Sequence, residues 1–96
     1  MECFIFARFH ARAGKEDAVA EALLGVLAPT REEPGCLGIR AFRSTREPRL
    51  FFIHSRWKDD AAFERHTGLP HTVRFVERVG PLIDHPLDAA RTQEIG

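Results

Sequence analysis

Blocks of apolar and polar residues along the chain predict its secondary structure. Three blocks are rich in β-branched and aromatic residues, which favour strands. They cover residues 3–10, 36–44 and 50–57. The polar residues 45–49 between the last two blocks have the length of a hairpin connection. A final extended segment is expected between residues 82 and 95, because the Gly-Pro pair at positions 80 and 81 ends the element before it.

Apolar residues at helical spacing predict helices between these strands. Six of them fall on one stripe of a first helix: Ala18, Val19, Ala22, Leu23, Val26 and Leu27. Pro29 has no backbone donor, so this helix should kink or end close to it. Asp59 is a candidate N-cap for a second helix that stops near Gly68. Pro70 suits the first position of a further short helix.

The order strand, helix, strand, strand, broken helix, strand predicts one α+β domain over residues 1–96. This is the ferredoxin-like split βαβ arrangement, a four-stranded antiparallel sheet with its helices on one face. The first and third strands are apolar on both pleat faces, whereas a half-solvated sheet should alternate apolar with polar residues. We therefore expect a homodimer whose sheets stack face to face.

Charge and composition exclude several classes of protein. Fourteen basic residues balance fourteen acidic ones, whereas a nucleic-acid binder needs a basic excess. No apolar run approaches the ~18 residues of a membrane span, and the first residues lack a basic leader. We therefore expect a cytoplasmic protein without nucleic-acid or membrane partners. Cys3 and Cys36 form no C-x-x-C pair, which favours free thiols.

Three short motifs resemble the antibiotic biosynthesis monooxygenase family. They are Pro34-Gly35-Cys36-Leu37, Ser55-Arg56-Trp57-Lys58-Asp59, and His66 followed by Leu69-Pro70-His71. The resemblance implies a dimeric α+β barrel. It also implies a small monooxygenase that oxidises a quinol or phenolic, polyketide-like aromatic substrate with O₂ and has no flavin, haem or metal.

The chain departs from two branches of that family. The haem-degrading branch carries an Asn on the first strand, and this chain contains no Asn. The anthrone-oxidising branch uses a Tyr on the second helix, where this chain has Phe63. The quinol monooxygenase-like branch is the nearest pattern, although Ser55 stands where that branch usually has Glu.

His66 and His71 are the candidate catalytic residues. His66 lies three residues after Phe63 and so on the same side of the second helix. A neutral imidazole there can accept the proton of a phenolic hydroxyl. Alternatively, His66 interacts only with the last carbonyls of its helix. His71 falls in the first turn of the short helix, where it either orients a substrate oxygen or is a surface or capping residue.

Six further residues are candidates for substrate binding. They are Trp57, Ser55, Phe63, Phe75, Ile53 and Arg40. The ring of Trp57 stacks on a planar substrate or fills the end of the core. Ser55 is placed to orient a hydroxyl. Arg40 meets an anionic substrate group or a partner carboxylate.

Two other functions remain open at this stage. A base in a pocket also suits an isomerase or enolising enzyme, and the same fold suits a non-catalytic, stress-related ligand-binding dimer. No metal site is expected, because residues 66 and 71 lack the i, i+4 spacing of two ligands on one helix. His10 and His85 have no chemical neighbours in the sequence and are interpreted as structural or solvated residues.

Overall fold

A computed structural model describes all residues from 1 to 96. The strands are β1 (Cys3–His10), β2 (Cys36–Arg43), β3 (Leu50–Trp57) and β4 (Asp88–Thr92). The helices are α1 (Glu16–Arg31), α2 (Asp60–Gly68) and α3 (Pro70–Val79), and a 3₁₀ turn (Gly80–Leu82) follows α3. The predicted order of elements is confirmed. The last strand covers only five residues of the extended segment that was expected.

All four strands form one antiparallel sheet in the order β2-β3-β1-β4. The strands that are neighbours in the sequence, β1 and β2, are therefore separated by β3, as in the split βαβ arrangement. The three helices pack on one face of this sheet. The α+β ferredoxin-like fold that the pattern predicted is confirmed.

Local sequence signals determine where the helices begin and end. Pro29 lies inside α1, which ends two residues later at Arg31. The Asp59 carboxylate accepts a hydrogen bond of 2.8 Å from the Ala62 backbone N–H, which caps α2. Leu69 has an extended conformation (φ −73°, ψ 149°), so the chain turns there before α3 starts at Pro70.

One face of the sheet forms the core with the helices. On β1 these residues are Cys3, Ile5, Ala7 and Phe9. The apolar stripe of α1 packs with Ala7 and Phe9, whereas Cys3 and Ile5 pack with Trp57 and Ala62. The turn before β2 packs closely against α2. A Cβ atom at Gly35 would lie 2.3 Å from Cβ of Ala62, so no larger residue fits there without displacing the helix.

The other face of the sheet carries large apolar side chains that no element of this chain covers. Phe6 is 52%, Phe42 48% and Phe52 36% exposed, and they lie around His54. We call Phe6, Phe42, Phe52 and His54 the outer patch. Separately, no helix of the chain combines the length and the apolar character needed to span a bilayer.

Candidate functional site

A cavity of about 190 Å³ lies between the helices and the inner face of the sheet. Apolar side chains form most of its wall, and its polar groups come from Ser55, His66, Thr67 and Thr72. Five of the predicted site residues line it: Ile53, Ser55, Phe63, His66 and Phe75. A small apolar chamber with a few convergent polar groups is typical of a small-molecule site.

Glu33 holds His66 at the wall of this cavity. Nδ1 of His66 lies 2.7 Å from Oε2 of Glu33, and the side chains are only 13% and 9% exposed. Because a carboxylate accepts hydrogen bonds, the geometry assigns the proton of the neutral imidazole to Nδ1. Nε2 of His66 then carries the lone pair. This nitrogen has no hydrogen-bond partner in the protein. Thr30 Oγ1 is the only fully buried side-chain nitrogen or oxygen without a partner, so Nε2 of His66 is not fully buried.

His71 binds the same carboxylate oxygen as His66. Its Nε2 lies 2.8 Å from Oε2 of Glu33. Although residues 66 and 71 lack the i, i+4 spacing, the turn at Leu69 between α2 and α3 brings both rings to Glu33. Their ligand atoms lie within 4.8 Å of one another, so this group could also hold a metal ion.

His71 does not line the cavity. It lies instead beside Arg74 and Arg78, in a separate cleft between α1 and α3. Val26 and Phe75 border both spaces and separate them. The structure therefore gives His71 a position behind Glu33 rather than one in contact with a molecule in the cavity.

Trp57 lies beneath the cavity and does not line it. The residue is completely buried, and its Nε1–H donates a hydrogen bond of 3.0 Å to Ser55 Oγ. The ring centroid of Trp57 is 4.6 Å from that of His66 and 5.9 Å from that of Phe63. Of its two predicted roles, the structure favours filling the core, where Trp57 supports the two cavity residues.

The structure does not support the predicted contact between Arg40 and a substrate. It is exposed on β2, directly after Ile39, which lines the cavity. Consecutive residues of a strand point to opposite faces, so Arg40 is on the outer face and has His54 as its register partner. A substrate in the cavity would not reach it.

Both cysteines are free, and neither has the environment of a nucleophile. Burial raises the pKa of the Cys36 thiol above its ordinary value. The pKa of the Cys3 thiol is raised first by burial and then by a hydrogen bond with Asp60. Because the thiolate is the reactive form, these shifts disfavour both cysteines as nucleophiles, and neither of them lines the cavity.

Glu33 is the central site residue that the sequence reasoning missed. It directly precedes the Pro34-Gly35 turn of the family motif, and this position is the sequence feature that could have identified it as a site residue. Glu33 is 33 residues away from His66 and 38 from His71 along the chain, so no local pattern links them.

The chain belongs to the antibiotic biosynthesis monooxygenase family, whose model matches residues 3–78. It is 29% identical over 83 residues to "Putative monooxygenase Rv0793" of Mycobacterium tuberculosis, which covers 86% of this chain and 81% of the relative. It is 30% identical over 79 residues to "Putative monooxygenase YcnE" of Bacillus subtilis, covering 82% of each.

Solved structures have the same fold. That of Rv0793 superposes with a TM-score of 0.94 at 24% identity and covers 100% of this chain and 97% of that one. That of PA3566 from Pseudomonas aeruginosa gives a TM-score of 0.91 at 27% identity and covers 99% and 95%. The family resemblance of the three sequence motifs is thus confirmed.

Proposed function

We propose that this protein is a monooxygenase that oxidises a small phenol or quinol with O₂ and needs no organic cofactor or metal. The observation that carries the proposal is the placement of His66. Its ring lines an apolar cavity, Glu33 holds its Nδ1–H, and Nε2 remains without a partner in the protein. Membership of the family supports oxygenation as the reaction class.

His66 is the base of the proposed reaction. Nε2 accepts the proton of a substrate hydroxyl, and the Glu33 carboxylate stabilises the imidazolium that forms. Glu33 thus has the role of the carboxylate in a catalytic triad, which holds the imidazole in one tautomer and orientation. His71 shares the carboxylate and helps to position it. His71 is therefore a positioning residue, because it does not reach the cavity.

The deprotonated substrate supplies every electron that the reaction needs. A phenolate or its carbanion form passes one electron to O₂, and the two resulting radicals combine in a new C–O bond. The O–O bond of this peroxide then breaks as the ring carbon loses its proton. One oxygen atom leaves in water and the other remains as a carbonyl, so a quinol and O₂ give a hydroxyquinone and water.

The volume of the cavity favours a small substrate. A chamber of about 150 Å³ accommodates one benzene ring, whereas sites for drug-sized ligands usually exceed about 300 Å³. At about 190 Å³, the cavity suits a single substituted ring. Phe63, Phe75 and Ile53 would contact the faces of this ring. Ser55 Oγ accepts its bond from Trp57, so its own O–H can donate to a substrate oxygen.

Oxygen uptake tests the proposal. We expect the protein to accelerate O₂ consumption by monocyclic hydroquinones and catechols above the rate of the same solution without protein. Mass spectrometry after a reaction in ¹⁸O₂ should find one labelled atom in each product molecule. Turnover of an enolisable substrate without O₂ uptake would instead identify an isomerase. Binding of the ring compounds without turnover would identify a ligand-binding protein, and either result would contradict the proposal.

We also propose that two copies of the chain associate through their outer patches. Phe6, Phe42 and Phe52 are 36–52% exposed. Burying a fully exposed side chain of this size contributes about 1.5–3 kcal/mol, so covering the exposed part of each contributes roughly half of that. An antiparallel sheet with one open apolar face buries that face most simply against an identical sheet.

Association through the outer patch predicts a mass of twice the 10.9 kDa chain in light scattering at micromolar concentration. Phe52→Lys places a charge in the patch and should yield monomers. Leu24→Lys is the matched control, because Leu24 is 62% exposed on α1 and lies outside the patch. A monomeric wild-type protein, or a Phe52→Lys variant that stays dimeric, would contradict this arrangement.

A further inference from the structure

His10 at the end of β1 meets two consecutive residues from a distant part of the chain, Asp84 and His85. Asp84 Oδ1 lies 2.6 Å from Nδ1 of His10 and 2.7 Å from Nδ1 of His85. The expectation that His10 and His85 have no chemical neighbours is therefore wrong. We call these three residues the His-Asp-His cluster. None of them lines the cavity that contains His66.

The backbone holds the cluster in place. The Asp84 N–H donates a hydrogen bond of 3.0 Å to the His10 carbonyl, and an isolated bridge joins Ala11 to Ile83. The other carboxylate oxygen of Asp84 faces Arg49, at 3.9 Å from Nη2. Asp84 therefore presents Oδ1 to the two imidazoles, and its orientation does not depend on the histidines alone.

We propose that the His-Asp-His cluster binds a divalent transition-metal ion of the zinc class. Two imidazole nitrogens and one carboxylate oxygen are a common ligand set for such ions, and all three ligand atoms lie within 4.8 Å of one another. The lone pairs at Nδ1 become available when each neutral imidazole carries its proton on Nε2. This choice of tautomer releases no proton and leaves the ring neutral, as a metal ligand must be.

The geometry needs only a small adjustment to accept an ion. Ligands about 2.1 Å from a tetrahedral ion lie roughly 3.4 Å from one another, so the hydrogen-bonded atoms must separate by about 0.8 Å. The side chain of His85 is 69% exposed and free to swing by this amount. Three protein ligands leave a coordination position open.

Charged groups border the cleft beside the His-Asp-His cluster. Arg8 and Asp88 border the same cleft as His10 and His85. Arg8 would favour an anionic fourth ligand such as a carboxylate. The cluster lies four residues beyond Phe6 along β1, roughly 13 Å away. His10 shares the outer face of the sheet with Phe6, but it stands at the end of β1 and is not one of the four residues of the outer patch.

Isothermal titration with ZnCl₂ at pH 7.5 tests the metal site. We expect one zinc ion for each wild-type chain. Asp84→Asn and His85→Ala should each weaken binding at least tenfold, because each removes a ligand. Asp88→Asn is the matched control, since it makes the same change of charge beside the cluster without removing a ligand. Equal zinc affinity in Asp84→Asn and wild type, or no zinc binding by wild type, would overturn the inference.

A second measurement locates the ion, because Glu33, His66 and His71 form another group that zinc could occupy. Paramagnetic Co²⁺ should broaden the ring NMR signals of His10 and His85 before those of His66 and His71. The Glu33→Gln variant should keep the zinc affinity of wild type. Broadening of His66 and His71 first, with zinc lost from Glu33→Gln, would overturn the assignment. Neither outcome depends on oxygenase activity.

Discussion

Replacement of His66 by Ala is expected to lower kcat/KM for oxidation of a quinol by about 10²- to 10⁴-fold, the usual contribution of a general base. The reason is that His66 lines the cavity and its Nε2, the proposed base, has no hydrogen-bond partner in the protein. Oxygen uptake under saturating and limiting quinol concentrations measures the effect. Arg65→Ala is the matched control, because Arg65 is exposed on the same helix and does not line the cavity.

The His66 variant also allows a test by rescue. Free imidazole added to His66→Ala should restore part of the rate if the missing group is a base, because the truncated side chain leaves space at the cavity wall.

Glu33→Gln keeps the shape of the side chain but removes its charge, so it should lower kcat more than it raises KM. Full activity in His66→Ala would contradict the role of His66 as the base.

Replacement of Trp57 by Ala is expected to destabilise the fold by about 3–5 kcal/mol, the usual cost of truncating a buried tryptophan. A domain of this size has a free energy of unfolding of roughly 5–14 kcal/mol, so the variant should be marginally stable or unfolded. Trp57 is completely buried, and Cys3, Ile5 and Ala62 pack around it. Urea denaturation followed by circular dichroism measures the change.

Trp57→Phe separates the packing of the ring from its hydrogen bond. This variant keeps an aromatic ring but leaves Ser55 Oγ without the indole N–H, a loss of about 1–3 kcal/mol for a buried polar group. We expect it to fold, and to bind and turn over quinol less well, because the ring supports His66. A loss below 1 kcal/mol in Trp57→Ala would contradict the structural role assigned to Trp57.

Local patterns in the sequence were sufficient for the order and approximate ends of the elements. The apolar stripe of α1, the Asp59 cap and Pro70 each act within a few residues of their own position. The three motifs were likewise sufficient to identify the family. The boundary of β4 was the least accurate, because its residues are mostly exposed and give no apolar alternation.

Site residues were predictable only where they lie on a face that a pattern reveals. Ser55 and Ile53 share a pleat face, and His66 and Phe63 share a helix face, so their meeting in one cavity followed from periodicity. Arg40 shows the limit of this reasoning. The strand that contains Arg40 was predicted correctly, but Ile39, and not Arg40, lies on its inner face.

The sequence by itself determined the elements, the fold class and the apolar wall of the cavity, because these depend on hydrophobic spacing that repeats every two or four residues. Only the tertiary structure decided which polar groups meet. Glu33 and His66 form a hydrogen bond although 33 positions separate them in the sequence, and His10 and Asp84 do so across a separation of 74 positions. A hydrogen bond depends on atoms placed within about 3 Å, and such contacts between distant residues leave no period in the sequence.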